Sequence, residues 1–266
     1  MKLAFREYGR GEKTLVILHG LLGSAQNWQR VAKELGEKHR ILVVDQRNHG
    51  ESPHHPDHSF AALRDDLGEF FDQQGLQQAY LLGHSMGGVA AMEFAFHHPG
   101  RLQGLIVEDI APRPYHSQAA AILEALSSIK LEGLTARQQV DALLTPHLPN
   151  PVIRQFVLTN LVRSADNTFV WRVNLATLRA FQREMASYTA APTARFTGET
   201  LFLGGGDSQY HLDHDESLLL SHFPNSHLLM IPGAGHWIHF DARPAFVSAV
   251  ARFLDHGLAA FRRVAP

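Results

Sequence analysis

The chain has no cysteine, and this absence excludes several kinds of chemistry. Disulfide bonds, thiolate metal sites and a cysteine nucleophile all need a residue that none of the 266 positions supplies. An excess of one charge is also absent, because 24 Lys plus Arg stand against 26 Asp plus Glu, for a formal net charge of −2. Such a balance gives no bulk attraction to nucleic acid. We therefore expect no nucleic-acid partner.

Long apolar runs are missing as well. No stretch approaches the roughly 18 consecutive apolar residues that a membrane-spanning helix needs. The N-terminal stretch soon becomes charged and has no apolar region typical of a secretory signal. We therefore expect a cytoplasmic protein without a membrane span. Its 45% hydrophobic and 19% charged residues are ordinary for a globular chain, and its length fits one large α/β domain or two small ones.

Short apolar runs alternate with helical patterns along the first part of the chain. The strand-like runs are 15–18, 41–44, 80–82 and 105–107. They are apolar throughout, which is typical of parallel strands that are buried on both faces. The helical patterns cover 24–35, 60–71 and 85–98. This alternation predicts an α/β fold, with a mostly parallel central sheet and helices on both of its faces.

The alternation then gives way to a long helical segment. Residues 112–196 are mostly helical in pattern, and strand character returns at 200–203 and 228–231. The simplest interpretation is one α/β core, made of residues 1–111 and 197–266, with a helical lid or cap inserted between its two parts. Long insertions in compact domains are usually lids or binding elements. An appendage that only packs on the core is the alternative.

The strongest motif is Gly83-His84-Ser85-Met86-Gly87, a G-x-S-x-G pattern between a predicted strand and a predicted helix. Small residues around Ser85 permit a tight turn that lifts the serine hydroxyl out of the sheet. A glycine-rich phosphate loop is the alternative, but neither G-x-x-x-x-G-K-[ST] nor G-x-G-x-x-G is present. The pattern therefore predicts Ser85 as a nucleophile.

A serine hydroxyl needs a base, and this turn is associated with a histidine late in the chain. His236 lies in Pro232-Gly233-Ala234-Gly235-His236-Trp237, directly after the last predicted strand. The glycines allow a loop to bring the ring to the serine. We therefore expect His236 to be the base.

The base needs a carboxylate that fixes its tautomer, and two aspartates are candidates. Asp207 follows the predicted strand 200–203, and Asp109 follows the predicted strand 105–107. Both lie at carboxyl ends of strands, where open α/β sheets place their sites. The residues alone do not distinguish them.

Acyl transfer also needs backbone N–H groups that bind an oxyanion. One is expected from Met86, the residue after the nucleophile. The other is expected from Leu21, in the loop His19-Gly20-Leu21-Leu22-Gly23-Ser24 that follows an early strand. A plain strand–helix turn is the alternative for that loop.

Histidine clusters at 54–58 and 211–215 are the places where a metal site would be sought. Neither has the H-E-x-x-H spacing, and both lie in loop-like stretches or at a helix start. We expect solvated loops there, with no metal and no cofactor.

Together these landmarks resemble the α/β-hydrolase family over essentially the whole chain. Three stretches are more narrowly similar to YbfF-like bacterial esterases and their abhydrolase-domain relatives: Arg47-Asn48-His49-Gly50, Asp109-Ile110-Ala111-Pro112 and Trp171-Arg172-Val173-Asn174-Leu175. The resemblance implies hydrolysis of short acyl esters, and of some thioesters. It implies Ser85 as nucleophile, His236 as base, and Leu21 and Met86 as oxyanion donors. It favours Asp109 as the acid and keeps Asp207 as the alternative.

Wider relatives supply other functions for the same groups. Menaquinone-pathway lyases and cofactor-free perhydrolases resemble the chain and use the same triad, and some hydrolase folds only bind ligands. Epoxide hydrolases and haloalkane dehalogenases are excluded, because they need an aspartate where Ser85 stands. For the preferred esterase we expect Trp28, Phe60 and Trp171 to contribute to the acyl pocket.

Overall fold

The computed structural model describes residues 1–115 and 119–261. Residues 116–118 of the predicted insertion and 262–266 of the predicted core lie outside this description. The strands are β1 (Phe5–Tyr8), β2 (Thr14–Leu18), β3 (Arg40–Val44), β4 (Ala79–His84), β5 (Leu102–Glu108), β6 (Leu161–Arg163), β7 (Phe169–Trp171), β8 (Thr200–Gly205) and β9 (Ser226–Ile231).

Helices connect most of these strands. They are α1 (Gln29–Leu35), α2 (Phe60–Gln73), α3 (Met86–His97), α4 (Ala119–Ser128), α5 (Arg137–Leu144), α6 (Pro151–Leu158), α7 (Leu175–Ser187), α8 (Glu216–His222), α9 (Ile238–Asp241) and α10 (Arg243–His256). The predicted helix over 24–35 begins with a 3₁₀ turn, Ala25–Trp28, before α1. Helix α2 stops just before Gly75, whose positive φ of 66° favours glycine.

Seven strands form the central sheet in the order β1-β3-β2-β4-β5-β8-β9. Only the β1–β3 pair is antiparallel, and the other pairs are parallel. The predicted mostly parallel sheet is confirmed. β1 was not predicted, because its sequence, Phe-Arg-Glu-Tyr, is half polar and lies at the sheet edge. The hairpin β6–β7 was also not predicted, because its strands are three residues long and interrupt a helical segment.

Apolar side chains cover both faces of the sheet. One cluster packs α2 and α3 on the strands through residues such as Phe70 and Phe94, and the other packs α1 and α10 through residues such as Val31 and Phe253. Helices on both faces are thus confirmed. A third cluster joins the helices between 119 and 187 to Leu22 of the loop after β2.

The strand register brings the functional loops to one edge of the sheet. His84 at the end of β4 pairs with Glu108 at the end of β5, and Glu108 pairs with Leu203 of β8. Because parallel strands all end at the same edge, the residues that follow β2, β4, β5, β8 and β9 meet there.

Candidate active site

Ser85 lies in a strained turn between β4 and α3. Its backbone has φ 52° and ψ −118°, a conformation that non-glycine residues rarely adopt. A Cβ at Gly83 would lie 2.1 Å from the Gly87 carbonyl oxygen, and a Cβ at Gly87 would lie 2.5 Å from the His19 carbonyl oxygen. The two glycines of the motif are therefore needed for close backbone approach. The turn has the form of a nucleophile elbow.

Asp109 is the carboxylate that faces His236. Its Oδ2 atom lies 2.7 Å from Nδ1 of His236, and Asp109 itself is completely buried. Its Oδ1 accepts a hydrogen bond from the Gly205 N–H at 2.9 Å, and its Oδ2 also accepts a short hydrogen bond from the hydroxyl of Ser208. Since these partners fix the carboxylate, it can hold the imidazole in the tautomer with a proton on Nδ1.

Asp207, the other candidate acid, has a different environment. It is solvent-exposed, and its backbone N–H donates to the carbonyl oxygen of Ala234 at 2.9 Å. The neighbouring Ser208 turns inward instead and donates to Asp109. The loop after β8 therefore contributes a donor to the acid from β5.

The His236 ring is enclosed by two other rings. Tyr210 stacks on it at a centroid distance of 4.2 Å, and the His84 ring lies 4.7 Å away. His84 Nε2 also donates a hydrogen bond to the His236 carbonyl oxygen at 3.0 Å. Because Tyr210 lines the same cavity as Ser85, the geometry brings the serine and histidine loops together.

The loop after β2 approaches the serine closely. A Cβ at Gly20 would lie 3.3 Å from the Ser85 Cβ, so the next residue, Leu21, lies beside the elbow. Leu22 has a φ of 63°. Its N–H donates to Nε2 of His49 at 3.1 Å, and its carbonyl oxygen accepts from the side-chain amide of Asn160 at 2.8 Å. Both backbone polar groups of Leu22, the residue after the predicted donor, are thus hydrogen-bonded.

A small cavity lies beside the serine. The residues that line it are Ser85, Met86, Val89, Ile110, Arg113, Tyr115, Met185, Tyr188 and Tyr210. It leaves about 10 Å³ for the centre of a water-sized molecule, which is room for about one water. Arg113 borders it, held by an ion pair of 2.7 Å with Asp215. A larger acyl chain enters only if these side chains move.

The three aromatic residues predicted for the acyl pocket are placed differently. Trp28 is 1% exposed and stacks on His239 at 4.1 Å, which places it in the core rather than at the cavity. Phe60 is buried and contacts Tyr188, so it lies behind the cavity wall. Trp171 packs against the third cluster.

One group of possible metal ligands occurs within residues 1–115 and 119–261. Ligand atoms of His84, Glu108 and His239 all lie within 4.8 Å of one another, and the three residues are buried. Nitrogen and carboxylate donors are ligands that zinc accepts. However, Nδ1 of His239 and Oε1 of Glu108 are 2.8 Å apart and are hydrogen-bonded to each other, so in this arrangement both atoms already have a partner. Sequence reasoning missed this group, because its members are far apart in the chain.

Burial sets the protonation of the surrounding histidines. It lowers the pKa of His58, His84 and His239 to about 3 each, and it lowers the pKa of His49 well below the ordinary value. Burial also raises the pKa of Glu108 to about 7. The histidines are therefore neutral at neutral pH, and His49 can accept the hydrogen bond from Leu22.

The comparisons with known proteins agree with this geometry. Residues 13–243 match the model of a family described as alpha/beta hydrolase fold. A mouse protein named sn-1-specific diacylglycerol lipase ABHD11 is 38% identical over 92% of the chain and 82% of its own length. Esterase YbfF of Escherichia coli K12 is 33% identical over 91% of the chain and 92% of its own length.

Solved structures show the same fold. One titled marine microorganism esterase superposes with a TM-score of 0.92 at 36% identity, covering 95% of the chain and 99% of its own. A thermophilic esterase from Thermogutta terrifontis has a TM-score of 0.72 at 23% identity, which supports the fold alone. Across the described ranges, no helix has the length and apolar character needed to cross a membrane.

Proposed function

Because the chain belongs to the α/β-hydrolase fold family, we propose that it is a serine carboxylesterase that acts through an acyl-enzyme intermediate. The relatives named esterase and diacylglycerol lipase support an ester substrate. The observation that supports the mechanism most directly is the 2.7 Å contact of His236 Nδ1 with the buried carboxylate of Asp109. It leaves Nε2 of the same ring as the atom that accepts the serine proton.

Acylation begins at Ser85. His236 removes the proton of the Ser85 hydroxyl, and the oxygen attacks the carbonyl carbon of the ester. The oxyanion that forms is stabilised by the N–H groups of Leu21 and Met86. His236 then gives its proton to the leaving alcohol, which leaves the acyl group on the serine.

Deacylation repeats these roles with water. His236 takes a proton from a water molecule, which attacks the acyl carbon through a second oxyanion. The bond to Ser85 then breaks, the serine takes back the proton, and the carboxylic acid leaves. The proton and bond changes balance without a cofactor.

The substrate class follows from the walls of the cavity. Apart from Ser85, Arg113 and the tyrosine hydroxyls, the lining is apolar, and the Arg113 charge is neutralised by Asp215. This supports an uncharged acyl group of short to medium length. Met185 and Tyr188 come from the 112–196 segment, which we propose to be a cap that closes over the acyl chain. Thioesters of the same acyl groups would fit the same mechanism.

The proposal is tested by initial rates on p-nitrophenyl esters of increasing chain length, with an acyl thioester and a diacylglycerol as further substrates. Wild type should hydrolyse the shorter esters, and Ser85→Ala should abolish turnover with an unchanged melting temperature. A fluorophosphonate probe should label wild type and leave Ser85→Ala unlabelled. Retention of most of the rate in folded Ser85→Ala would show that the serine hydrolase mechanism is wrong.

A further inference from the structure

Two consecutive acids at the end of β5 contact two histidines of one short segment. Asp109 faces Nδ1 of His236, while Glu108 accepts hydrogen bonds from both the backbone N–H and Nδ1 of His239, at 2.9 and 2.8 Å. Asp109 directly follows β5 and has a positive φ of 52°, so the chain turns there and the two neighbouring carboxylates reach separate histidines. Glu108 has no exposed surface, and its carboxylate is directed entirely at this segment.

His84 completes the attachment from β4. Its Nε2 donates to the carbonyl oxygen of His236 at 3.0 Å. The segment from His236 to His239 is therefore fixed at its first carbonyl by His84 and at its last N–H by Glu108. Stacking of the His239 ring on Trp28 at 4.1 Å also fixes the ring of the second histidine.

We propose that Glu108, acting through His239, is a positioning residue for the general base His236, and that its carboxylate, when ionised, also stabilises the imidazolium formed during each proton transfer. The inference rests on the proposed function of Ser85 and His236. It goes beyond the triad, because it assigns a second carboxylate–histidine pair to the same base.

The electrostatics of the buried cluster agree with this role. Burial raises the pKa of Glu108 to about 7, whereas His84 and His236 lower it and Asp109 raises it, so the carboxylate form is present near and above neutral pH. The Glu108 carboxylate and the His236 imidazolium therefore attract each other. His239 interacts electrostatically with His236, which lowers its pKa, and with Asp241, which raises it. Burial has the largest effect and keeps His239 neutral. These groups are the charged and titratable side chains that β4, β5 and the segment after β9 direct at the pair.

The main test compares Glu108→Gln with Glu108→Met. Glutamine keeps an acceptor for His239 but removes the charge that Glu108 carries when ionised. Because that charge favours the imidazolium, the acid midpoint of the kcat/KM profile should move to lower pH, by about half a unit at most. Its kcat should fall by only about threefold. Methionine removes the acceptor as well, and its kcat should fall about tenfold or more, with KM nearly unchanged.

A second pair of variants covers the case in which Glu108→Met does not fold. His239→Phe keeps a ring on Trp28 but has no side-chain donor, whereas His239→Asn places an amide N–H near the position of Nδ1. The rate of Ser85 labelling by a fluorophosphonate probe should fall about tenfold in the first and remain within about threefold in the second. Labelling needs the base but no particular ester.

The outcomes separate this inference from the proposed function. Loss of ester turnover and labelling in Ser85→Ala, with wild-type kcat and acid midpoint in both Glu108 variants, would overturn only the role of Glu108. So would a lower melting temperature with unchanged kcat and midpoint, because that is the result of a purely structural residue. Absence of turnover and labelling in wild type would instead overturn the proposed function.

Discussion

The hydroxyl of Ser208 donates a hydrogen bond to Oδ2 of Asp109, the same oxygen that lies 2.7 Å from Nδ1 of His236. Ser208 directly follows Asp207, the residue at which the acid could equally have been placed from the sequence. The loop after β8 thus supports a carboxylate that belongs to β5. Substitution of each aspartate in turn distinguishes their roles.

Asp109→Asn should lower kcat by about 10³–10⁴-fold, because an amide N–H facing the ring favours the tautomer that cannot accept the serine proton. Asp207→Asn should stay within about twofold of wild type, since this side chain is exposed. Steady-state rates on one p-nitrophenyl ester measure both. A large loss in Asp207→Asn with normal rates in Asp109→Asn would reverse the assignment.

Asn160→Ala should lower kcat about tenfold with little change in KM, because the Leu22 carbonyl loses its side-chain donor and the loop that carries the Leu21 N–H is held less firmly. Asn150→Ala is the matched control. It removes the N-cap of α6 without contacting the loop after β2. Equal effects of the two variants would indicate a general loss of stability, so melting temperatures accompany the kinetics.

Met185→Ala should move the preferred acyl chain to a longer ester, because the side chain that is shortened lines the cavity beside Ser85. The ratio of kcat/KM for a longer to a shorter ester should rise about tenfold. Val152→Ala, at a residue of α6 that is 50% exposed, should leave the ratio unchanged. The same chain-length profile in both variants would place the acyl pocket elsewhere.

Acidification should destabilise the fold before the carboxylates of the surface are protonated. His58, His84 and His239 have pKa values of about 3 in the folded state, against about 6.5 when unfolded. Below about pH 6.5 these three histidines bind protons in the unfolded chain but stay unprotonated in the folded chain. Each histidine therefore costs about 1.4 kcal/mol of unfolding free energy per pH unit as the pH falls toward 3.

Glu108 changes the free energy of unfolding in the opposite direction to these histidines. Its raised pKa of about 7 means that the folded state holds a proton between about pH 4.5 and 7 that the unfolded chain has released, so its contribution declines as the pH rises. Over this interval the three histidines together change the free energy of unfolding more than the one glutamate does. The urea concentration at the unfolding midpoint should fall between pH 7 and pH 5. His58→Asn should make this decline smaller. The control His214→Asn, at an exposed site, should leave it unchanged. Equal midpoints at pH 7 and 5 would contradict this account.

The fold was predictable where apolarity alone decided the structure. Strands such as β2 and β3 are apolar after their first residue, and Gly83 and Gly87 indicate a close backbone approach that no larger residue permits. The edge strand β1 and the hairpin β6–β7 escaped prediction, because partly polar or very short strands have no distinctive pattern.

The site was predictable only in part, because three-dimensional contacts decide the rest. The residues alone placed Asp109 and Asp207 equally well at strand ends, and the family resemblance favoured Asp109. In the structure it is Asp109 that contacts His236. Trp28 could not be assigned to core or cavity from its type, since the direction of its ring depends on how α1 packs. The Glu108–His239 pair has no spacing signal at all, because it forms across 131 positions of sequence.

Part of the cavity wall comes from a different part of the chain than the proposed reacting groups. Ser85, Asp109 and His236 lie after strands of the sheet. Met185 lies in helix α7, and Tyr188 lies at the end of that helix, outside the sheet. Substitutions in α7 can therefore change which esters fit while the acid–base geometry stays as it is. For an evolving lineage, or for an engineer, the range of substrates and the chemical step are separately adjustable.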